Sequence, residues 1–210
     1  GCGFHCIQET LGAYRILPRS IMSNIEELEK GMFAALDKVF HDPRLPEPLH
    51  AIQDSVYSRM HFEMSARYYM SHDWEGGNRS LIRFFDMKPA LLHQPEALWQ
   101  YFMENIIKNP RLVDPVSLIA AIFEHLPAAL QPVQSYRSRF SAYAHIFQAL
   151  VSYSLNRIKD AQSHLEQAVE GYPPILQDPD AFVHLLASQA FIQSAFSPFA
   201  YADFVFDNLP

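Results

Sequence analysis

Proline, often paired with a preceding acid or amide, punctuates this chain at intervals that leave room for one helix at a time. Asp114-Pro115 and Asp178-Pro179 are the sharpest of these signals. In each, a capping carboxylate precedes a proline whose fixed φ and missing N–H suit the first helical position. Asp42-Pro43, Pro89, Asn109-Pro110, Pro127 and Pro173-Pro174 read as stops, because an interior proline removes a hydrogen bond and clashes with the turn before it. Between these marks apolar residues recur at helical spacing, and no stretch alternates convincingly at period two. The pattern predicts an all-α protein of about seven or eight helices.

The individual helices can be placed from their faces. Ser23 with Glu26 has capping-box spacing ahead of Ile25, Leu28, Met32, Phe33, Leu36, Val39 and Phe40. A second helix is expected from about Pro46–Pro48 through Ile52, Val56, Met60, Phe62, Met64, Tyr68 and Tyr69, ending near His72-Asp73. Gly76-Gly77 leaves two readings of the next one. It opens near Asn78, or it starts at Trp74 and tolerates two glycines at about 1 kcal/mol each. Gln94-Pro95 opens a helix with Leu98, Trp99, Phe102, Ile106 and Ile107, and Asp114-Pro115 opens one with Val116, Ile119, Ile122, Phe123 and Leu126. Further helices are expected over 138–155, 160–170 and 181–196.

Composition narrows the function classes. Seven glycines in 210 residues are few for a β-sandwich or a Gly-loop nucleotide fold. A formal net charge of −7 without a Lys/Arg cluster argues against a nucleic-acid partner, which needs a basic footprint. The most apolar stretch, Val116 to Leu126, is too short to span a bilayer, so no transmembrane segment is expected. No signal peptide is visible, and a cytoplasmic location is expected. The chain begins Gly-Cys-Gly rather than with Met, as expected of a segment of a longer protein. Cys2 and Cys6 make neither a disulfide framework nor a four-ligand zinc site.

Two segments resemble tetratricopeptide repeats, helix pairs of about 34 residues with small residues where the helices cross. In 142–174, Ala149, Ala161, Leu165 and Ala168 stand at the expected small and apolar positions, and Pro173 closes the unit. In 60–89, Ser65, Tyr68, Leu81 and Pro89 fit, but Gly77 stands where alanine is usual. Small residues let the two helices approach closely. The expected architecture is therefore stacked antiparallel helix pairs in a short solenoid, with non-repeat helical packing as the alternative.

The stretch Leu11-Gly12-Ala13-Tyr14-Arg15-Ile16-Leu17-Pro18-Arg19-Ser20-Ile21-Met22-Ser23-Asn24 resembles the closing segment of a family-2 glycosyltransferase catalytic domain. Leu36-Asp37-Lys38-Val39-Phe40 is similar to the exit helix of bacterial members, and the resemblance extends over residues 7 to 95. It departs from the pattern at Leu17, where many relatives carry histidine. No Asp-x-Asp follows an apolar strand, so the resemblance implies that the nucleotide-sugar chemistry lies upstream. It implies that residues 1–23 are the edge of that catalytic domain and 24–210 a helical domain with no cofactor of its own. It also implies that Arg15 and Arg19 contact the donor phosphate in the parent enzyme. The implied function is a non-catalytic region that positions the catalytic domain, the acceptor or a protein partner. The alternative is a stand-alone tetratricopeptide-like protein-binding module.

Ten histidines raise a metal or hydrolase hypothesis, but none form a His-Glu-x-x-His or a close i, i+4 pair. Stacked helices are the one arrangement expected to gather several of them, namely His145, His164 and His184. Ser20 and Ser23 read as loop and cap residues, since no nucleophile elbow surrounds them. The apolar C-terminal residues Phe199, Tyr201, Phe204 and Phe206 are expected either to fold back or to form a partner surface.

Overall fold

The computed structural model describes residues 24–103 and 114–177, and among these every regular element is helical. Helix α1 (Ile25–Phe40) is capped by Asn24, whose side chain accepts from the Glu27 amide at 3.2 Å. The cap thus falls one residue after the expected Ser23, which lies outside the described residues. Glu26 and Glu27 in the first turn and Lys38 in the last suit the helix dipole.

The single helix expected from Pro46–Pro48 to His72 is two. The short α2 (Glu47–His50) gives way at Ala51–Ile52, and α3 (Gln53–Met70) follows. The first has no side-chain cap and no buried residue, so nothing holds it in line with the second. Helix α4 (Trp74–Met87) starts at Trp74, which decides between the two readings of Gly76-Gly77. Asp73 caps it by accepting from the Gly76 amide at 2.9 Å. The remaining α-helices are α5 (Pro95–Phe102), α6 (Pro115–Glu124), α7 (Arg137–Ser154) and α8 (Ile158–Gly171). The helix expected over 181–196 lies outside the described residues.

A recurrence emerges that residue identities conceal. Helices α3 and α7 are both 18 residues long and start 84 residues apart, at Gln53 and Arg137. Their partners α4 and α8 are both 14 residues long with the same offset, and each pair ends in a five-residue 3₁₀ segment, 89–93 and 173–177. Helix α5 begins at Pro95, midway between Gln53 and Arg137, and it is followed by α6 and a third 3₁₀ segment over 128–136. The helix starts at Gln53, Pro95 and Arg137 thus mark three units spaced 42 residues apart, the middle one described over 95–103 and 114–136.

The turns of the outer units match in hydrogen bonding. In the first, the His72 amide bonds to the Tyr69 carbonyl at 3.1 Å and the Asp73 amide to the Tyr68 carbonyl at 2.9 Å. In the second, Asn156 bonds to Tyr153 and Arg157 to Ser152, both at 2.9 Å. His72 and Asn156 both take left-handed backbone, at φ 64° and 59°. That conformation ends a helix and sends the chain back along it, at a cost that asparagine bears more readily than histidine.

Aromatic contacts join the units. Phe62 of α3 lies 4.7 Å from Phe84 and 4.6 Å from Phe102, and Phe102 lies 5.8 Å from Phe140 of α7. Trp99 and Phe123 also reach Phe140, at 5.2 and 5.9 Å. These separations suit edge-to-face packing. One core therefore runs from α3 to the 3₁₀ segment at 173–177. At the other end, Phe33 and Phe40 of α1 pack on Tyr57 of α3.

Ala149, Ala161 and Ala168 are fully buried where α7 meets α8, as expected for a close crossing. No described helix is long and apolar enough to cross a membrane.

Candidate functional site

The close approach of α7 and α8 brings two histidines together. Ala161, Leu165 and Ala168 form the buried face of α8, and His164 sits beside Leu165 at its margin. His145 holds the corresponding position on α7, between buried Ala144 and Ile146. The two Nδ1 atoms stand 3.0 Å apart, with ring centroids 5.3 Å apart. At that distance one ring donates its Nδ1–H and the other accepts, so the pair holds a single shared hydrogen. Burial pushes both imidazoles toward the neutral form, and for His145 the neighbouring His164 adds to this effect. The Asp114 carboxylate opposes the shift at both rings, and Asp160 opposes it at His164.

Asp114 is itself held in place as the cap of α6. It accepts from the Val116 amide at 3.0 Å and from the Ser117 amide at 3.4 Å, and the Ser117 hydroxyl donates to it at 2.5 Å. The Asp-Pro start signal thus does two jobs: it begins a helix and sets a negative charge near the imidazole pair.

Of the three histidines expected to converge, two do. His184 lies outside the described residues, and among those described no three His, Cys, Asp or Glu side chains are grouped to hold a metal. Arg15, Arg19, Ser20, Ser23, Cys2 and Cys6 also lie outside, as do Phe199, Tyr201, Phe204 and Phe206. The His61 ring lies tilted 4.5 Å from that of Phe33, and Glu63 pairs with Arg67 at 2.9 Å. His125 stacks on Trp74 with centroids 4.0 Å apart. These rings pack rather than ligate.

Two polar clusters escape sequence reasoning. Tyr68 donates to Glu29 at 2.6 Å, the Ser80 hydroxyl reaches the other oxygen of Glu29 at 3.4 Å, and Arg79 lies over the Tyr68 ring. Burial and the Glu29 charge push the Tyr68 hydroxyl up to about 12. Arg139 pairs with Glu96 at 2.6 Å and donates to the Tyr143 hydroxyl at 2.8 Å, tying α7 to α5. Arg139 and Tyr143 are one helical turn apart, but Glu29 with Tyr68 and Ser80, and Glu96 with Arg139, lie too far apart in sequence to leave a local signal.

No protein-family profile matches the chain, and no similar curated protein or solved structure is found.

Proposed function

We propose that this chain is a non-catalytic helical-repeat region whose task is to hold a protein surface. The observation that carries this reading is the 42-residue recurrence of a helix pair closed by a 3₁₀ segment. Repeating units of this kind each leave one face open and bury the other against a neighbour, so their product is an extended surface rather than a pocket. The net charge of −7 favours a protein partner over a nucleic acid.

The surface that the sequence favours is that of the chain's own parent enzyme. Residues 11–24 resemble the end of a family-2 glycosyltransferase catalytic domain, and α1 follows directly at Ile25. In this reading the helical region positions that domain, its acceptor or a further protein. Residues 1–23 supply the connection, and Arg15 and Arg19 face the donor phosphate.

The stand-alone reading, a tetratricopeptide-like binding module, is favoured by the buried alanines at the α7–α8 crossing. The native reading frame separates the two. A frame continuing upstream through a nucleotide-binding fold with Asp-x-Asp supports the glycosyltransferase reading. Co-purification of the separately expressed upstream domain with this chain would then establish positioning. A native product starting within a few residues of Gly1 overturns the first reading and leaves the binding module.

A further inference from the structure

We propose that His145 and His164 form a two-imidazole site for one divalent transition-metal cation of the zinc class, open to solvent on its remaining positions. The geometry is close to what the ion requires. Two imidazole nitrogens held about 2.0–2.1 Å from a tetrahedral zinc stand roughly 3.3 Å apart. The two Nδ1 atoms here are 3.0 Å apart, so a modest rotation that turns both ring lone pairs toward a common point, about 1 Å to the side of the line between them, lets the ion replace the shared hydrogen.

Three further features of the site suit a cation. Both rings are half-buried and favour the neutral form, so their lone pairs are available near neutral pH. The charges that bear on the pair are those of Asp114 and Asp160, both negative. The two ligands sit on separate helices joined by a short turn and locked by the buried contacts of Ala149, Ala161 and Ala168. A cation between them therefore bridges α7 and α8. Because no third side-chain ligand is grouped with them among the described residues, water completes the shell, and the site is of the open rather than the closed structural type.

Binding need not release a proton. The ring that carries its hydrogen on Nδ1 moves it to Nε2, and both Nδ1 lone pairs then face the metal. This tautomer change is the signature to look for. The full chain with nitrogen-15-labelled histidine is titrated with zinc chloride, with magnesium chloride as control, and the ring nitrogens are followed by long-range proton–nitrogen NMR. The expected result is that Nδ1 of both His145 and His164 moves to metal-bound shifts, with the proton on Nε2, at one zinc per chain. His145→Gln and His164→Gln are each expected to weaken zinc binding by at least about tenfold, since each removes one of the two protein ligands. The proposal is overturned if zinc leaves either ring unchanged, or if the double variant binds zinc as tightly as the parent chain. Because the wild-type spectrum decides by itself, a variant that fails to fold does not obscure the outcome.

Discussion

Gly77 of α4 lies against the ring of Tyr69 of α3, so close that a Cβ there would stand 2.9 Å from two of the ring carbons. The tyrosine cannot yield, because it is only 1% exposed and its hydroxyl is held by Asn78. On an exposed helix, replacing glycine by alanine stabilises by about 1 kcal/mol. Here overpacking, at about 1–3 kcal/mol, opposes that gain and exceeds it, since the contact involves the fixed end of the ring. Gly77→Ala is therefore expected to lower unfolding stability by up to about 2 kcal/mol, measured in denaturant. In a Tyr69→Leu background the same change should become neutral or stabilising. A stabilising Gly77→Ala in the parent chain would contradict this packing.

That glycine also shows where the sequence is legible. Helix starts at Asp114-Pro115 and Gln94-Pro95 are readable because the signal is local: a proline in the first turn of each, joined at Asp114 by a capping carboxylate. The break at Ala51–Ile52 is not readable, because both flanking segments carry helical periodicity and only the absence of packing separates them. The 42-residue recurrence is hidden for a related reason. Equivalent positions hold different residues, Tyr68 beside Ser152 and Phe84 beside Ala168, while helix lengths and turn geometry repeat. The His145–His164 pair was foreseeable from stacked helices, but its fine geometry depends on side chains 19 residues apart.

The imidazole pair should make stability pH-dependent. Burial lowers the folded-state pKa of His145 and His164 below the ordinary 6.5. Between the two values the unfolded chain binds more protons than the folded one, so stability rises with pH in that window. The stability is complete above about pH 6.5 and is lost as pH falls toward the folded-state pKa values. His61 is shifted in the same direction by burial and contributes to the same loss. Denaturant midpoints from pH 7.5 down to 5 should fall, and more gently in His145→Gln/His164→Gln. An equal slope in that double variant would show that the pair carries no share of it.

Asp114 provides a way to change the field at the pair without changing the helix start. Asparagine is as good an N-cap as aspartate, so Asp114→Asn leaves α6 capped, whereas Asp114→Ala should cost about 1 kcal/mol. The Asp114 charge raises the pKa of both histidines against the effect of burial. Removing it is expected to shift both titrations further down, as followed by histidine ring proton NMR. If Asp114→Asn left both midpoints unchanged, the carboxylate would not be acting on the rings.

Phe140 is the ring on which the units converge. It contacts Trp99 and Phe102 of α5, Phe123 of α6 and Tyr136 just before its own helix, and it is fully buried. Truncating a buried phenylalanine to alanine costs about 3–5 kcal/mol through lost burial and the remaining cavity. Phe85 is 4% exposed and, among the described residues, has one ring contact, with Phe84, so fewer aromatic contacts are lost on its truncation. Phe140→Ala is therefore expected to be the more damaging of the two, and to uncouple α5 and α6 from α7. Amide exchange would then rise together in α5, α6 and α7 while α3 and α4 retain more protection. Uniform loss across all five helices would instead mean that the three units unfold as one block, with the aromatic contacts too strong for any single ring to separate them.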